Sequence, residues 1–540
     1  MFLTASAFIP LLLSSNFVRA QALRYGTTPN GFKAPPKGWN SFALQQLEDD
    51  LKFQLNQDNV IKQCDAMKKE LGEYGYEYCS LDSGWSLPTE GDEFGRITYD
   101  SSLFDIPELA DHLHSNGAKL GIYILPGFFA KDAKKAIEGT DIKLSSIQAN
   151  EGEPCRAMAR CNINYNATGA QEWCDSNVKQ FADWGVDLIK LDYVTPGSPD
   201  AGADLSADNS GSVSCFHKAI KKVGREIRLD ISWKLERNST YYDIWKSNAD
   251  SMRIDRDINN SDEQTLTQWR TTQRTIEQYR QYILPQLDSA DSLTIYPDLD
   301  NLLIGNAEKL TGLTNSQRQA VFSHWIGAGA NLILGSDLTQ LDAFGKSLLT
   351  NALANEIANF TAQYPMVPTR GNTNDEKGRQ TQIWLAGPDP TTGVVVVLLA
   401  NYGANGDNNL FDSTPDDADQ DFFLSPKDLG LTSSGYYSID DVWGKTKIDL
   451  GFSDSYRWTL GKEGAAALLR FTPSLHGADN ATETKRATDG QIVVQAAQTS
   501  AFEAPVATES ASGASGMDLS WDGLLLLWCG AGLQVVYWLL

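Results

Sequence analysis

The chain is 540 residues long and carries 45 Lys and Arg against 69 Asp and Glu, a formal charge of −24. With 41% hydrophobic and 10% aromatic residues it can fill a large core, which excludes wholesale disorder. The acidity, with no cluster of Lys and Arg, excludes nucleic acid as a partner.

At the N-terminus, an apolar run from Ala7 to Leu13 is followed by Val18-Arg19-Ala20. This predicts a secretory leader over residues 1–20, cut after Ala20. Over residues 30–362 short apolar runs alternate with helical patterns. The runs are Lys37–Asn40, Tyr76–Asp82, Lys119–Tyr123, Asp187–Asp192, Ile227–Ser232, Ser251–Asp255, Leu293–Tyr296 and Asn331–Gly335. Between the first two, Val60, Cys64, Met67 and Leu71 make one apolar helical stripe. Eight strands alternating with helices predict an α/β fold, a (β/α)8 TIM barrel. Such a barrel keeps its active site at the C-terminal strand ends, which here carry Asp82, Lys190, Asp192, Arg253, Asp257, Asp298 and Asp337.

Residues 366–473 switch to strands without long helices: Gln382–Leu385, Val394–Leu399, Tyr436–Val442 and Ala465–Phe471. They predict a C-terminal antiparallel β-sandwich. Residues 474–516, rich in Ala, Ser and Thr, read as a flexible stalk. The chain then runs from the small residues Ser510–Gly516 through a polar spacer, Met517–Asp522, to an apolar stretch, Gly523–Leu540. That order predicts, over 517–540, a cleaved lipid-anchor (GPI) signal, and so a membrane contact through a lipid; a retained membrane helix is the alternative. Cys529 lies in this tail. The other six cysteines, Cys64, Cys79, Cys155, Cys161, Cys174 and Cys215, are expected to pair in an oxidising compartment, among fifteen connectivities that spacing does not choose between. Five glycosylation triplets, at Asn166, Asn238, Asn259, Asn359 and Asn480, agree with a secreted, surface-anchored protein.

Other chemistries find no pattern. There is no His-Glu-x-x-His, and His112 and His114 lie two apart on a predicted helix, on different faces. Gly444-Lys445-Thr446 lacks the upstream glycine of a phosphate loop. The acids Asp416, Asp417, Asp419 and Asp421 read as a solvated loop without a complete calcium-binding pattern. Neither a metal nor an organic cofactor is expected.

The remaining site is made of carboxylates. Its motifs are Gly38-Trp39-Asn40-Ser41, Tyr74–Tyr78, Leu120–Tyr123, Asp183–Asp192, Ser251-x-Arg253-x-x-x-Asp257, Asp298-x-Asp300-Asn301-Leu302 and Leu334–Leu338. In this order they resemble glycoside hydrolase family 27, the α-galactosidases and α-N-acetylgalactosaminidases. The resemblance implies a carbohydrate substrate and a retaining double displacement. In that mechanism one carboxylate attacks the anomeric carbon and a second acid protonates the leaving oxygen, then activates water. By the same resemblance Asp192 is the nucleophile and Asp257 the acid/base. Arg253 is then expected on the 2-hydroxyl, Trp39 as a wall for the sugar, and Asp82 with Ser83 on the 4- and 6-hydroxyls. Lys190, two residues before Asp192 on one strand face, is placed to favour the ionised nucleophile and to bind a hydroxyl. Asp255 is the rival acid, and Trp269-Arg270-Thr271-Thr272 copies family letters in a stretch that reads as helix.

Three departures fall in the expected sugar pocket. Ser83 stands where the family has a second acid, Ile124-Leu125 follows the third-strand Tyr where an acid is usual, and Ser232 matches a family Glu. The expected function is therefore an α-galactosidase. The alternatives are an α-N-acetylgalactosaminidase, a β-L-arabinopyranosidase, an α-glucan hydrolase, or a catalytically weak wall protein that binds carbohydrate.

Overall fold

The computed structural model describes residues 22–149, 155, 159–197, 206–287, 291–370, 378–403, 418–431, 435–462, 464–474 and 492–493. The expected leader and anchor signal lie outside these residues, as do nearly all of the stalk, Asn480, Asp416, Asp417 and Cys529.

Eight parallel strands form one sheet: β1 Lys37–Asn40, β2 Tyr78–Leu81, β3 Lys119–Ile124, β4 Val186–Leu191, β5 Arg228–Ile231, β6 Ser251–Arg253, β7 Tyr296–Asp298 and β8 Leu332–Leu334. They lie in the order β8-β1-β2-β3-β4-β5-β6-β7. The ring closes where the Asn331 amide donates to the Pro297 carbonyl at 3.2 Å and Leu302 bridges Leu334. Strands buried on both faces are rich in apolar residues, and β4, Val-Asp-Leu-Ile-Lys-Leu, is buried except at Lys190, with Asp187 its second charged residue. Gly38 is required for close approach: a Cβ there would lie 2.1 Å from the Tyr78 carbonyl oxygen of the neighbouring strand.

The long helices are α1 Gln57–Leu71, α2 Ile106–Ser115, α3 Ala170–Asp183, α4 Gly211–Val223, α5 Ser239–Asn248, α6 Trp269–Ile283, α7 Asn315–Ala328 and α8 Ala352–Thr361. The predicted stripe of α1 is fully buried. His112 and His114 of α2 diverge as expected, the first to Asp65 and the second to Asp187. Among the described residues, no helix is long and apolar enough to cross a membrane. The cysteines pair as Cys64–Cys79, which ties α1 to β2, Cys155–Cys161, and Cys174–Cys215, which ties α3 to α4.

The seventh strand departs from its predicted place by three residues. Leu293 is engaged below the barrel, where it pairs with Tyr25 and its amide donates to the Arg24 carbonyl. The ladder with β6 begins only at Tyr296, and its register sets Asp298 opposite Arg253.

The C-terminal part holds two sheets. One is antiparallel, with six strands in the order Val367–Arg370, Thr381–Ala386, Val395–Asn401, Ala465–Ser474, Tyr436–Asp441 and Thr446–Gly451; the other pairs Gln420–Leu424 antiparallel with Tyr456–Leu460, which Ile492–Val493, from the predicted stalk, joins in parallel. Side-chain alternation gives the six-stranded sheet two apolar faces. Val395, Val397, Leu399 and Leu469 pack toward the smaller sheet, while Val396, Leu398, Ala400 and Leu468 join the barrel core.

Candidate active site

The strand ends bring most of the predicted charges together. At the end of β2, Asp82 is enclosed, and its Oδ2 accepts from Lys190 Nζ at 2.8 Å and from Asn40 Nδ2 at 3.0 Å. Its Oδ1 accepts from the Ser83 amide. Lys190 also lies over the rings of Phe42 and Tyr123. Burial works against its charge, but Asp82 and then Asp192 outweigh it, so its pKa is raised and it stays an ammonium.

Asp192 follows β4 directly. Its Oδ1 accepts from the Tyr193 amide at 2.8 Å, and its own amide bonds the Ile124 carbonyl. Tyr123, at the end of β3, lies beside Asp192. Burial, then the charges of Asp192 and Asp82, hold its phenol well above its ordinary range, so it remains a donor.

Asp257 sits four residues beyond Arg253, whose Nη2 donates to Asp257 Oδ1 at 2.8 Å and lies 3.2 Å from Asp300 Oδ2. Asp257 leaves 33% of its side chain open, while Arg253 leaves 3%. Loss of hydration pushes the Asp257 carboxyl up to about 6; Arg253 pulls it down, and Asp300 adds to the rise. One guanidinium thus aims this acid, and burial keeps it protonated into the mildly acidic range.

Several expectations change. Asp255 is turned away from the pocket: its Oδ2 accepts from Arg274 Nε at 2.7 Å and Thr275 Oγ1 at 2.9 Å, both on α6. It is not placed as the acid. Trp39, expected as a wall, is fully enclosed; its Nε1 donates to the Ser336 carbonyl, and its ring meets Phe53 edge-on at 5.9 Å. It supports the wall from behind. Ser232 is enclosed too, and its hydroxyl has no hydrogen-bond partner among the described residues. Ser83 is half-buried at the rim, beside Asp82. Asp337 leaves the strand-end cluster, capping the turn at Thr339 and accepting from Gln63 of α1.

Four further residues belong to the cluster. Asp300, at a left-handed φ of 75°, accepts from the Ile258 and Asn301 amides and braces Arg253. Its motif is legible, but only the fold reveals that the second Asp, rather than the first, meets Arg253. Tyr123 and Tyr193 flank Asp192, one from the adjacent strand and one from the next position in the chain. Asp230, two residues before Ser232, lies within the barrel and bonds Ser251. Burial and then Asp298 push its carboxyl well up, so it is held neutral.

A family model described as alpha galactosidase A matches residues 34–133 and 158–359. Alpha-galactosidase 3 of Hypocrea jecorina is 41% identical over 462 residues, covering 83% of this chain and 72% of that protein. The alpha-galactosidase of Coffea arabica is 26% identical over 413 residues, 76% of this chain and 86% of that one. Two solved structures share the fold. A GH27 β-L-arabinopyranosidase from Geobacillus stearothermophilus has a TM-score of 0.66 at 21% identity, covering 83% of this chain and 98% of its own. An α-galactosidase from Saccharomyces cerevisiae has a TM-score of 0.58 at 17% identity, covering 83% and 100%. The chain is a glycoside hydrolase and belongs to the α-galactosidase family.

Proposed function

We propose that this protein is a retaining α-galactosidase that removes terminal α-linked galactose from oligo- or polysaccharides. The observation that carries the reading is the pair of unlike acids at the barrel mouth. Asp257 is pushed up to about 6 and aimed by Arg253, and Asp192 stands against Tyr123 within the field of Lys190. In the first step an Asp192 oxygen bonds the anomeric carbon while Asp257 gives its proton to the departing glycosidic oxygen. In the second, Asp257 takes a proton from water, whose oxygen displaces Asp192 from the same carbon. Lys190 and Tyr123 offer donors on the Asp192 side.

The test is a panel of p-nitrophenyl glycosides on the wild type and Asp192→Asn. Cleavage of the α-galactoside, lost by about a thousandfold or more in the variant, is the expected result. Turnover of no glycoside, or turnover indifferent to the substitution, would sink the reading. One observation favours a second sugar. The fifth-strand wall carries an enclosed Ser232 where the resemblance expects a Glu, so the panel includes the α-N-acetylgalactosaminide, the β-L-arabinopyranoside and an α-glucoside. Preference for one of these keeps the mechanism and changes the substrate. A carbohydrate-binding role without turnover is the outcome if all four fail.

The same proposal places the protein outside the cell, with residues 1–20 a leader, 30–362 the catalytic barrel, 366–473 the sandwich, 474–516 a stalk and 517–540 a signal exchanged for a lipid. Release of the protein from intact cells by a phosphatidylinositol-specific phospholipase C is expected, and failure of release argues for a retained helix or for no anchor.

A further inference from the structure

We propose that Tyr193 is a substrate-binding residue of this glycosidase, its phenol donating a hydrogen bond to the sugar hydroxyl next to the bond being cleaved. The inference rests on the assignment of Asp192 and Asp257 as the reacting pair.

The first observation is conformational. Tyr193 has φ 53°, in the left-handed region that a bulky aromatic residue avoids and that glycine or asparagine would occupy without strain. Such a conformation persists only when its surroundings over-determine it. Here the Tyr193 amide donates to Asp192 Oδ1 at 2.8 Å, its carbonyl accepts from Asn209 Nδ2 at 3.0 Å, and the next amide, of Val194, bonds the Ser232 carbonyl. The backbone is pinned at three successive groups, and the first of them is the nucleophile itself.

The second observation is where the ring goes. It meets Trp233 edge-on, with centroids 5.6 Å apart and planes at 69°. This fixes its direction between the ends of β4 and β5. The side chain is half-buried, and the hydrogen bonds that hold the residue fall on its two backbone groups rather than on its phenol. A phenol only half covered, on a ring whose direction is fixed beside the nucleophile, is available to a ligand. Loss of hydration, then Asp192 and Asp257, raise its pKa, which keeps the phenol protonated and places it within the field of both acids. A donor on the residue that follows Asp192, tied to its Oδ1 through the backbone amide, is beside the anomeric carbon that Asp192 attacks. Of the sugar's hydroxyls, the one on C2 lies beside that carbon, and contacts to it strengthen as the oxocarbenium-like transition state forms.

The experiment compares the wild type with Tyr193→Phe on the p-nitrophenyl glycoside that the wild type cleaves best and on its 2-deoxy counterpart. Tyr193→Phe keeps the ring, the strain and the Trp233 contact and removes only the hydroxyl. The expected result is a roughly tenfold fall in kcat/KM on the parent glycoside, carried mainly by kcat, with little change on the 2-deoxy substrate and an unchanged melting temperature. A second variant, Tyr193→Gly, relieves the backbone. It is expected to melt no lower than the wild type while losing at least as much activity on the parent. The proposal is overturned if Tyr193→Phe matches the wild type on the parent, or if both substrates lose the same factor. A wild type that cleaves no glycoside overturns the glycosidase reading, a failure distinct from an active wild type indifferent to Tyr193.

Discussion

At the scale of single residues, the two acids differ in their neighbours more than in their chemistry. Asp257 lies between opposed influences: burial and Asp300 favour its proton, and Arg253 favours its loss. As general acid it must be protonated, so kcat/KM should fall on the alkaline side with an apparent pKa near 6, which a pH–rate profile measures. Asp300→Asn removes a negative charge that raises the Asp257 pKa, so the alkaline limb should move to lower pH, by about half a unit to one unit. Arg253→Met removes the cation that lowers it and should move the limb the other way, with a lower maximum because Asp257 loses its aiming contact. Shifts in the same direction would show that Asp257 is not the group on that limb. The sequence makes Asp192, Asp257 and Lys190 legible through residue type and spacing. It does not disclose enclosure, so it ranks Trp39 and Ser232 as sugar contacts without showing that the fold encloses both side chains, and passes over Tyr123 and Tyr193, whose role depends on where a ring is turned.

Among the elements, α6 most directly links packing to the site. Its letters imitate a family motif, yet Arg274 belongs to it as a brace. Arg274 Nε pairs with enclosed Asp255, and Nη2 donates to the carbonyls of Arg256 and Asp257. Arg274→Met would leave Asp255 without its ion-pair partner; Thr275 Oγ1 still donates to Oδ2, but Oδ1 already has no partner among the described residues. Breaking a buried pair from one side costs about 3 kcal/mol or more. The expected outcome is a melting temperature lower by several degrees together with a reduced kcat, since the backbone bearing Asp257 loses a tether. Arg274→Met with Asp255→Leu should recover stability without recovering kcat, and recovery of both would mean that Arg274 serves stability alone. Seven of the eight barrel strands are legible because each is a short run built around buried apolar residues and ending in polar or charged ones. The seventh slips because Leu293 is apolar for a different reason, pairing with Tyr25 beneath the barrel. In the C-terminal region Thr446–Gly451 escapes notice because an edge strand exposes most of its side chains and carries little apolar signal.

For the whole molecule, the joint between the six-stranded sheet and the barrel centres on His324 of α7. The ring is fully enclosed, edge-on to Tyr279 of α6 at 5.4 Å and to Trp384 of the sheet at 5.2 Å. Its Nδ1 hydrogen-bonds Tyr402 Oη at 2.8 Å, and its Nε2 has no partner among the described residues. A second proton on the ring would place a cation among aromatic rings, and burial lowers its pKa from the ordinary 6.5 to about 3. The folded chain therefore holds this His neutral where the unfolded chain protonates it. Below about pH 6.5 the unfolded state binds the extra proton, so stability falls as pH drops toward 3, by about 1.4 kcal/mol per unit, or on the order of 2 kcal/mol by pH 5. His324→Asn removes the titration and retains an amide that can meet Tyr402. Carboxylates titrate alike in both proteins, so the difference between their melting curves isolates His324. The wild type should start more stable at pH 7 and lose its advantage as pH falls to 4.5, the two curves converging. Parallel curves over that range would mean that His324 is protonated in the folded protein or that the joint opens before the chain unfolds. Convergence identifies the barrel–sheet joint as a determinant of acid tolerance, a property fixed some distance from the carboxylates that work in the same pH range.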